Sequence, residues 1–235
     1  MRIALITENS QKNKNSFIYR VLHKVAQKYE HEVYNYGVTE DNNMDMDYVG
    51  AVVLYGILLN SDVVDIVIMG CASGECVMIS ANAMPNVLCG YISDVVDAKL
   101  FQKVNGGNAV SIPFGKFFGV GFEFLLESIF EGLFQTPILS GYPKERKGIQ
   151  NEQYQRLLSI KRSSQLSMMN VLDEIDRDFL YKIVHNDYFE ENYFAYSCDD
   201  EMCEFLKDLI DAFEDTDLYE DSFNDYEVDE EGDII

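Results

Sequence analysis

Residues 63–83 read Val63-Val64-Asp65-Ile66-Val67-Ile68-Met69-Gly70-Cys71-Ala72-Ser73-Gly74-Glu75-Cys76-Val77-Met78-Ile79-Ser80-Ala81-Asn82-Ala83. The first seven positions are apolar except for Asp65, the pattern of a strand buried on both faces. Small residues then interrupt the run at 70–74, and a helix opens at Cys76. A buried strand, a tight turn and a helix in immediate succession form the repeating unit of a parallel α/β sheet.

The same unit recurs on both sides. Residues 2–7 read as a buried strand, the polar stretch 8–15 as a turn, and Phe17, Ile18, Val21, Leu22, Val25 and Ala26 keep helical spacing. A polar loop follows Gly37, and 48–60 is an apolar helix. Downstream, strands are expected at 87–92 and 109–112 and helices at 94–103 and 119–134. This alternation predicts a doubly wound, Rossmann-like parallel sheet in three αβα layers over residues 1–136, with ligands at the carboxyl ends of its strands.

Beyond Pro137 the pattern changes. A basic turn at 141–147 leads into a polar helix at 151–162, and residues 165–215 read as two or three helices. Leu166, Met169, Leu172, Ile175 and Phe179 keep helical spacing, as do Phe205, Leu209 and Phe213. Residues 137–214 are thus a helical extension, and 215–235 an acidic tail expected to be disordered.

Composition narrows the function. The 235 residues carry a formal net charge of -23, which argues against nucleic-acid binding. Seventeen acids face the single Lys207 between Asp199 and Ile235, so the rest of the chain is only mildly acidic and still open to a small anion. No apolar run is long enough to cross a bilayer, and the first residues enter a strand directly, so a cytoplasmic protein is expected. The five cysteines, Cys71, Cys76, Cys89, Cys198 and Cys203, read as free thiols. With His23, His31 and His185 far from them in sequence, no metal set is expected.

The turn at 70–74 is the candidate reactive centre. Small residues let backbone pass close to a bound molecule, and the free amides of a helix start form a donor-rich concavity. A cysteine there has a stabilised thiolate, and the amides can hold a developing enediolate oxygen. Those are the needs of an aldose–ketose isomerase. A small buried residue at a tight junction is the alternative role for Cys71. Glu75, in the same loop, is a rival base, or a first-turn acid that complements the helix dipole.

These residues resemble the ribose-5-phosphate isomerase type B and galactose-6-phosphate isomerase family. Gly70 to Gly74, followed by Met78 to Asn82, is similar to that family's Cys-Gly-Thr-Gly turn and the helix ending in Ala-Asn. Ser93-Asp94, Asp97 to Leu100, Asn105 and Asn108 to Val110 follow in matching order, as does Asp47-Tyr48, over roughly residues 1–135. Glu8-Asn9 stands where members usually carry Asp-His. The resemblance implies Cys71 as base, with Ser73 holding the thiolate or intermediate. Amides of Ser73, Gly74, Glu75 and Cys76 would bind the oxyanion. Glu8, Asn9, Asp47, Tyr48 and Asn105 would bind the open-chain sugar, with no cofactor and no metal. It also implies a homodimer with shared sites.

The chain departs from the family at several places. Val104 stands where many members have the histidine thought to open the sugar ring, and Asn9 replaces another histidine. Cys76 occupies a common glycine position. The arginines usual after the long helix are missing, and Tyr142-Pro143-Lys144-Glu145-Arg146 resembles an element of a longer-chain branch. Lys144, Arg146 and Arg156 are the phosphate candidates, with a solvated basic turn as their plain alternative. The leading expectation is an isomerase of a pentose or hexose phosphate. A non-catalytic sugar-phosphate-binding or regulatory protein on the same fold comes second, and an interaction protein acting through its acidic end comes third.

Overall fold

The computed structural model describes residues 1–42 and 44–224, with side chains to 214. Five strands form one wholly parallel sheet: β1 (Arg2–Ile6), β2 (Glu32–Asn35), β3 (Ile66–Met69), β4 (Cys89–Tyr91) and β5 (Ala109–Ser111), in the order β2-β1-β3-β5-β4. Helices α1 (Lys12–Gln27), α2 (Tyr48–Asn60), α3 (Glu75–Ala83), α4 (Val95–Leu100, continued by a π turn Phe101–Asn105) and α5 (Phe122–Phe134) fill the connections. The doubly wound α/β expectation holds. The strand order reverses between β1 and β3, so the crevice outside their carboxyl ends is the topological switch point. Glu8 follows one of these strands and Cys71 the other.

Strand β2 was missing from the sequence reading, which assigned four strands. Its four residues Glu32-Val33-Tyr34-Asn35 lie on the sheet edge, none fully buried, so no apolar run marks them. Helix α1 begins at Lys12, inside the stretch read as a polar turn, after a 3₁₀ turn at Asn9–Gln11.

Helices α1 and α2 show why the layers differ. α1 buries Ile18, Val21, Leu22, Val25 and Ala26 on one stripe and leaves its other face polar. α1 and α5 cover one face of the sheet, where Lys24 and Lys28 pair with Glu127 and Glu131 of α5. α2 is apolar all round and buried from Gly50 to Leu59, as a helix covered on two sides must be. The sheet covers one side. The other is covered by the helical extension, four helices after α6 (Lys147–Ser164): α7 (Met168–Glu174), α8 (Arg177–Val184), α9 (Asp187–Tyr196) and α10 (Asp200–Asn224). Met168, Leu172, Leu180, Ile183, Phe189, Tyr193 and Leu206 enter the same apolar cluster as α2.

The sequence reading allowed two or three helices over 165–215. The structure has four there because Ser167, Asp176, Asn186 and Asp199 each start a new one, their side chains accepting amides of the following turn. A disordered acidic tail was expected from 215; the described backbone of α10 runs to Asn224. The remainder of that tail, 225–235, lies outside the described residues. No helix among the described residues is long and apolar enough to cross a membrane.

Candidate active site

Gly70 passes so close to the loop after β5 that a Cβ there would lie 1.9 Å from the Ile112 carbonyl oxygen. The following residues are clamped to that loop: the Phe114 amide donates to the Cys71 carbonyl at 3.0 Å and the Gly115 amide to the Ala72 carbonyl at 3.0 Å. Gly74 then turns the chain into α3 with φ +78°, a left-handed conformation that side chains resist. Its carbonyl accepts the Ser111 hydroxyl at 2.6 Å.

This frame buries Cys71 and aims it at the start of α3. The Gly74 amide donates to the Cys71 sulfur at 3.1 Å, the Cys76 sulfur lies 2.8 Å away, and the Ser73 hydroxyl 3.9 Å away. Burial by itself pushes the Cys71 thiol up. Hydrogen bonds from Cys76, from the Val77 and Gly74 amides and from Ser73 outweigh it, so the thiol ionises below its ordinary value. Cys76 moves the opposite way, raised by burial and then by its neighbour Cys71. One of the two thiols is thus prepared to be a thiolate and the other to donate to it.

The other expected residues separate into two groups. Glu8 is buried at the end of β1, where its carboxylate accepts the Ser10 amide at 2.7 Å and the Ser10 hydroxyl. Asn9 ties down the segment before α2: its amide nitrogen donates to Asp45 at 2.6 Å and its carbonyl oxygen accepts from Met46. Asp47 caps α2 through the Val49 and Gly50 amides at 2.9 and 2.8 Å, with Tyr48 exposed beside it.

Asn105 lies elsewhere. It lines a cavity of ≈ 540 Å³ with Val104, Cys89, Tyr91, Asp97 and, from α6, Gln150 and Tyr154. Neither Cys71 nor Glu8 lines it. Lys144 and Arg146 form an exposed 3₁₀ turn leading into α6, and Arg156, on α6, pairs with Glu152 at 3.9 Å in solvent. Lys103 lies over the Tyr142 ring at 5.7 Å, adding a further cation to this face.

Two cations on or against the loop after β5 escaped the sequence reading. Lys116, on the loop after β5, donates to the Tyr91 hydroxyl at 2.9 Å and lies 3.7 Å from the Glu75 carboxylate. That hydrogen bond to Tyr91 holds the ammonium's pKa above its ordinary value. Lys14 donates to Gln11 at 2.7 Å and rests 5.0 Å over the Phe118 ring of the same loop. Burial lowers its pKa, opposed by the charge of Glu8. Lys116 had a signal in sequence, as the lone charge in Pro113-Phe114-Gly115-Lys116-Phe117-Phe118-Gly119. Among the described residues no group of three or more His, Cys, Asp or Glu side chains is placed to hold a metal ion.

A family model described as Ribose/Galactose Isomerase matches residues 3–132. Among solved structures, the chain is similar to a 4-deoxy-L-threo-5-hexosulose-uronate ketol-isomerase complexed with a tartrate, with 42% identity and a TM-score of 0.87 over 90% of this chain and 100% of that one. It is also similar to a ribose-5-phosphate isomerase from Vibrio parahaemolyticus, with 36% identity and a TM-score of 0.86 over 89% and 99%. A type B ribose 5-phosphate isomerase from Trypanosoma brucei, 17% identical with a TM-score of 0.56 over 68% and 97%, shares the fold. No curated protein matches the chain.

Proposed function

The chain belongs to the ribose/galactose isomerase family, and from that premise we propose that it interconverts the aldose and ketose forms of an open-chain pentose or hexose phosphate with Cys71 as the base. The observation that carries this reading is the Cys71 sulfur, lowered in pKa and facing the first amides of α3. The thiolate takes the proton from C2 of the aldose, the negative oxygen of the enediolate rests on the amides from Ser73 to Cys76, and the proton returns at C1. Ser73 holds the sulfur or the intermediate, Glu8 reads a sugar hydroxyl, and Lys116 and Lys14 draw the anion in.

The site is shared between two copies in this reading. Cys71 and Glu8 follow neighbouring strands at one end of the sheet, while Asn105 lines a cavity that neither of them lines, and Lys144, Arg146 and Arg156 are exposed on α6 and the turn before it. A homodimer joins the two half-sites, with the second face gripping the phosphate. Exposed Ile79, Val96, Ile149, Leu157 and Ile160 supply apolar surface for it.

A uronate is the second reading, favoured by the 42% identical ketol-isomerase and by two residues that cannot move protons, Val104 and Asn9. Without a ring-opening acid, a substrate that is already open-chain suits the site. The test is deuterium incorporation at C2 by NMR, with ribose-5-phosphate, allose-6-phosphate, galactose-6-phosphate and a 5-keto uronate as substrates. Exchange with one of them that vanishes in Cys71→Ala establishes the reaction and its base. Exchange retained in that variant removes Cys71 from the role, and exchange with the uronate alone selects the second reading.

A further inference from the structure

Cys76 fills a place where the proposed proton transfer needs no side chain at all. Its sulfur nevertheless lies 2.8 Å from that of Cys71, closer than two unbonded sulfurs normally rest. Both thiols are free in the structure, Cys71 buried and Cys76 partly open to solvent. Their other surroundings divide the labour. Cys71 receives the Gly74 amide at 3.1 Å, while Cys76 stands in the first turn of α3 with its sulfur turned back toward Cys71.

We propose that Cys71 and Cys76 form a peroxide-reactive pair that closes reversibly into a disulfide and thereby withdraws the thiolate from the active site. The chemistry balances with hydrogen peroxide or an alkyl hydroperoxide as the oxidant. The Cys71 thiolate attacks one peroxide oxygen, the O–O bond breaks, and the departing oxygen leaves as water or alcohol after taking a proton. The sulfenic acid on Cys71 is then attacked by the sulfur of Cys76, which gives up its proton. The S–O bond breaks, a water leaves, and the S–S bond remains. The two sulfurs lose two electrons together, and the peroxide gains them. An external dithiol reverses the bridge by exchange.

The low thiol pKa at Cys71 favours the first step and the nearness of Cys76 the second, before further oxidation to a sulfinic acid. Peroxide is smaller than a sugar and reaches Cys71 by whatever opening admits one. The chain has three other cysteines, but Cys89 is buried with its thiol pushed up to about 12, so it is a poor competitor. The inference rests on the function proposed above only where it predicts loss of turnover. Bridge formation needs only the nearness of the two sulfurs and the ionisation of Cys71, whatever the chain's substrate.

The experiment takes the full chain, reduced and then titrated with hydrogen peroxide. Mass spectrometry reads the bridge as a loss of about 2 Da per chain. Digestion after glutamate cuts at Glu75, between the two cysteines, so the fragments bearing Cys71 and Cys76 stay joined until dithiothreitol is added. Turnover falls roughly tenfold or more as the joined fragments accumulate and returns with dithiothreitol. The variant Cys76→Ser, scored against its own untreated activity, forms no bridge and gains about 32 Da at Cys71, with losses that dithiothreitol does not reverse. Wild-type chain that gains oxygen at Cys71 with no joined fragments overturns the proposal. Joined fragments with turnover intact leave the pair standing and sink Cys71 as the base instead.

Discussion

The turn at Cys71 is held from several directions: by the loop after β5, by the Ser111 hydroxyl under Gly74, and by a glycine at 70 with no room for a Cβ. The face around Asn105 is different. Its cations Lys144, Arg146 and Arg156 are exposed, and the Arg156 partner Glu152 is equally exposed. A rigid turn can position a base within a fraction of an ångström, whereas exposed cations on long side chains acquire a fixed geometry only when something packs against them. In the proposed dimer the contrast is that of a half-site finished within the chain and one that waits for a second copy.

The largest effect expected from breaking the finished half is at Cys71 itself. Cys71→Ala should lower kcat in the NMR exchange assay by about 10³-fold or more, with the melting temperature shifted by only a few degrees. A small loss of rate would move the base elsewhere, to Glu75 first. Mixing tests the waiting half. Cys71→Ala and Asn105→Ala, each nearly inactive alone, should recover up to about a quarter of wild-type activity when unfolded and refolded together, because half of the dimers are hybrids with one intact site. No recovery would mean that one chain holds its whole site.

Next in size is Lys116→Met, which should raise KM by about tenfold with kcat less affected, since an ammonium beside Glu75 is proposed to act on the anion and not on the proton in flight. The pH profile sharpens the comparison further. With Cys71 as the proposed base the active form is the thiolate, and hydrogen bonds lower its pKa, so kcat/KM should rise with pH around a midpoint below the ordinary thiol value. Ser73→Ala removes one of those bonds and should move the midpoint up by a few tenths of a pH unit, costing activity at neutral pH. The smallest effect is on stability. Gly148→Ala, in the first turn of α6 with open space around it, should gain up to about 1 kcal/mol in denaturant unfolding, whereas Gly70→Ala in the clamped turn should lose several.

Legibility followed the range of the forces. Strand β3, the turn at 70–74 and helix α3 were readable because burial of a short apolar run and the left-handed preference of a glycine act over a few residues. Strand β2 was not, because an edge strand with half-exposed side chains lacks that apolar run. Asn9 and Asp47 were expected to meet the substrate. The structure shows both making backbone bonds first, Asn9 holding Met46 and Asp47 capping α2, roles set by what the fold brings alongside. Lys116 stood out as a lone charge, but its place beside Glu75 was not legible, because the two are forty-one positions apart and only the β3–β5 pairing brings them together.

The apolar circumference of α2 made the same point from the other side. Its composition required cover on two faces, and sequence alone determined that much, as it did the parallel α/β fold and the cysteine at the head of α3. Only the tertiary structure decided that the second cover is α7 to α10, that Cys76 turns its sulfur onto Cys71, and that Asn105 lines a cavity that Cys71 does not. The physical reason is that hydrophobic burial is non-directional. It states how much surface must leave water, and the choice of partner is made by packing and hydrogen-bond geometry between segments that are far apart along the chain.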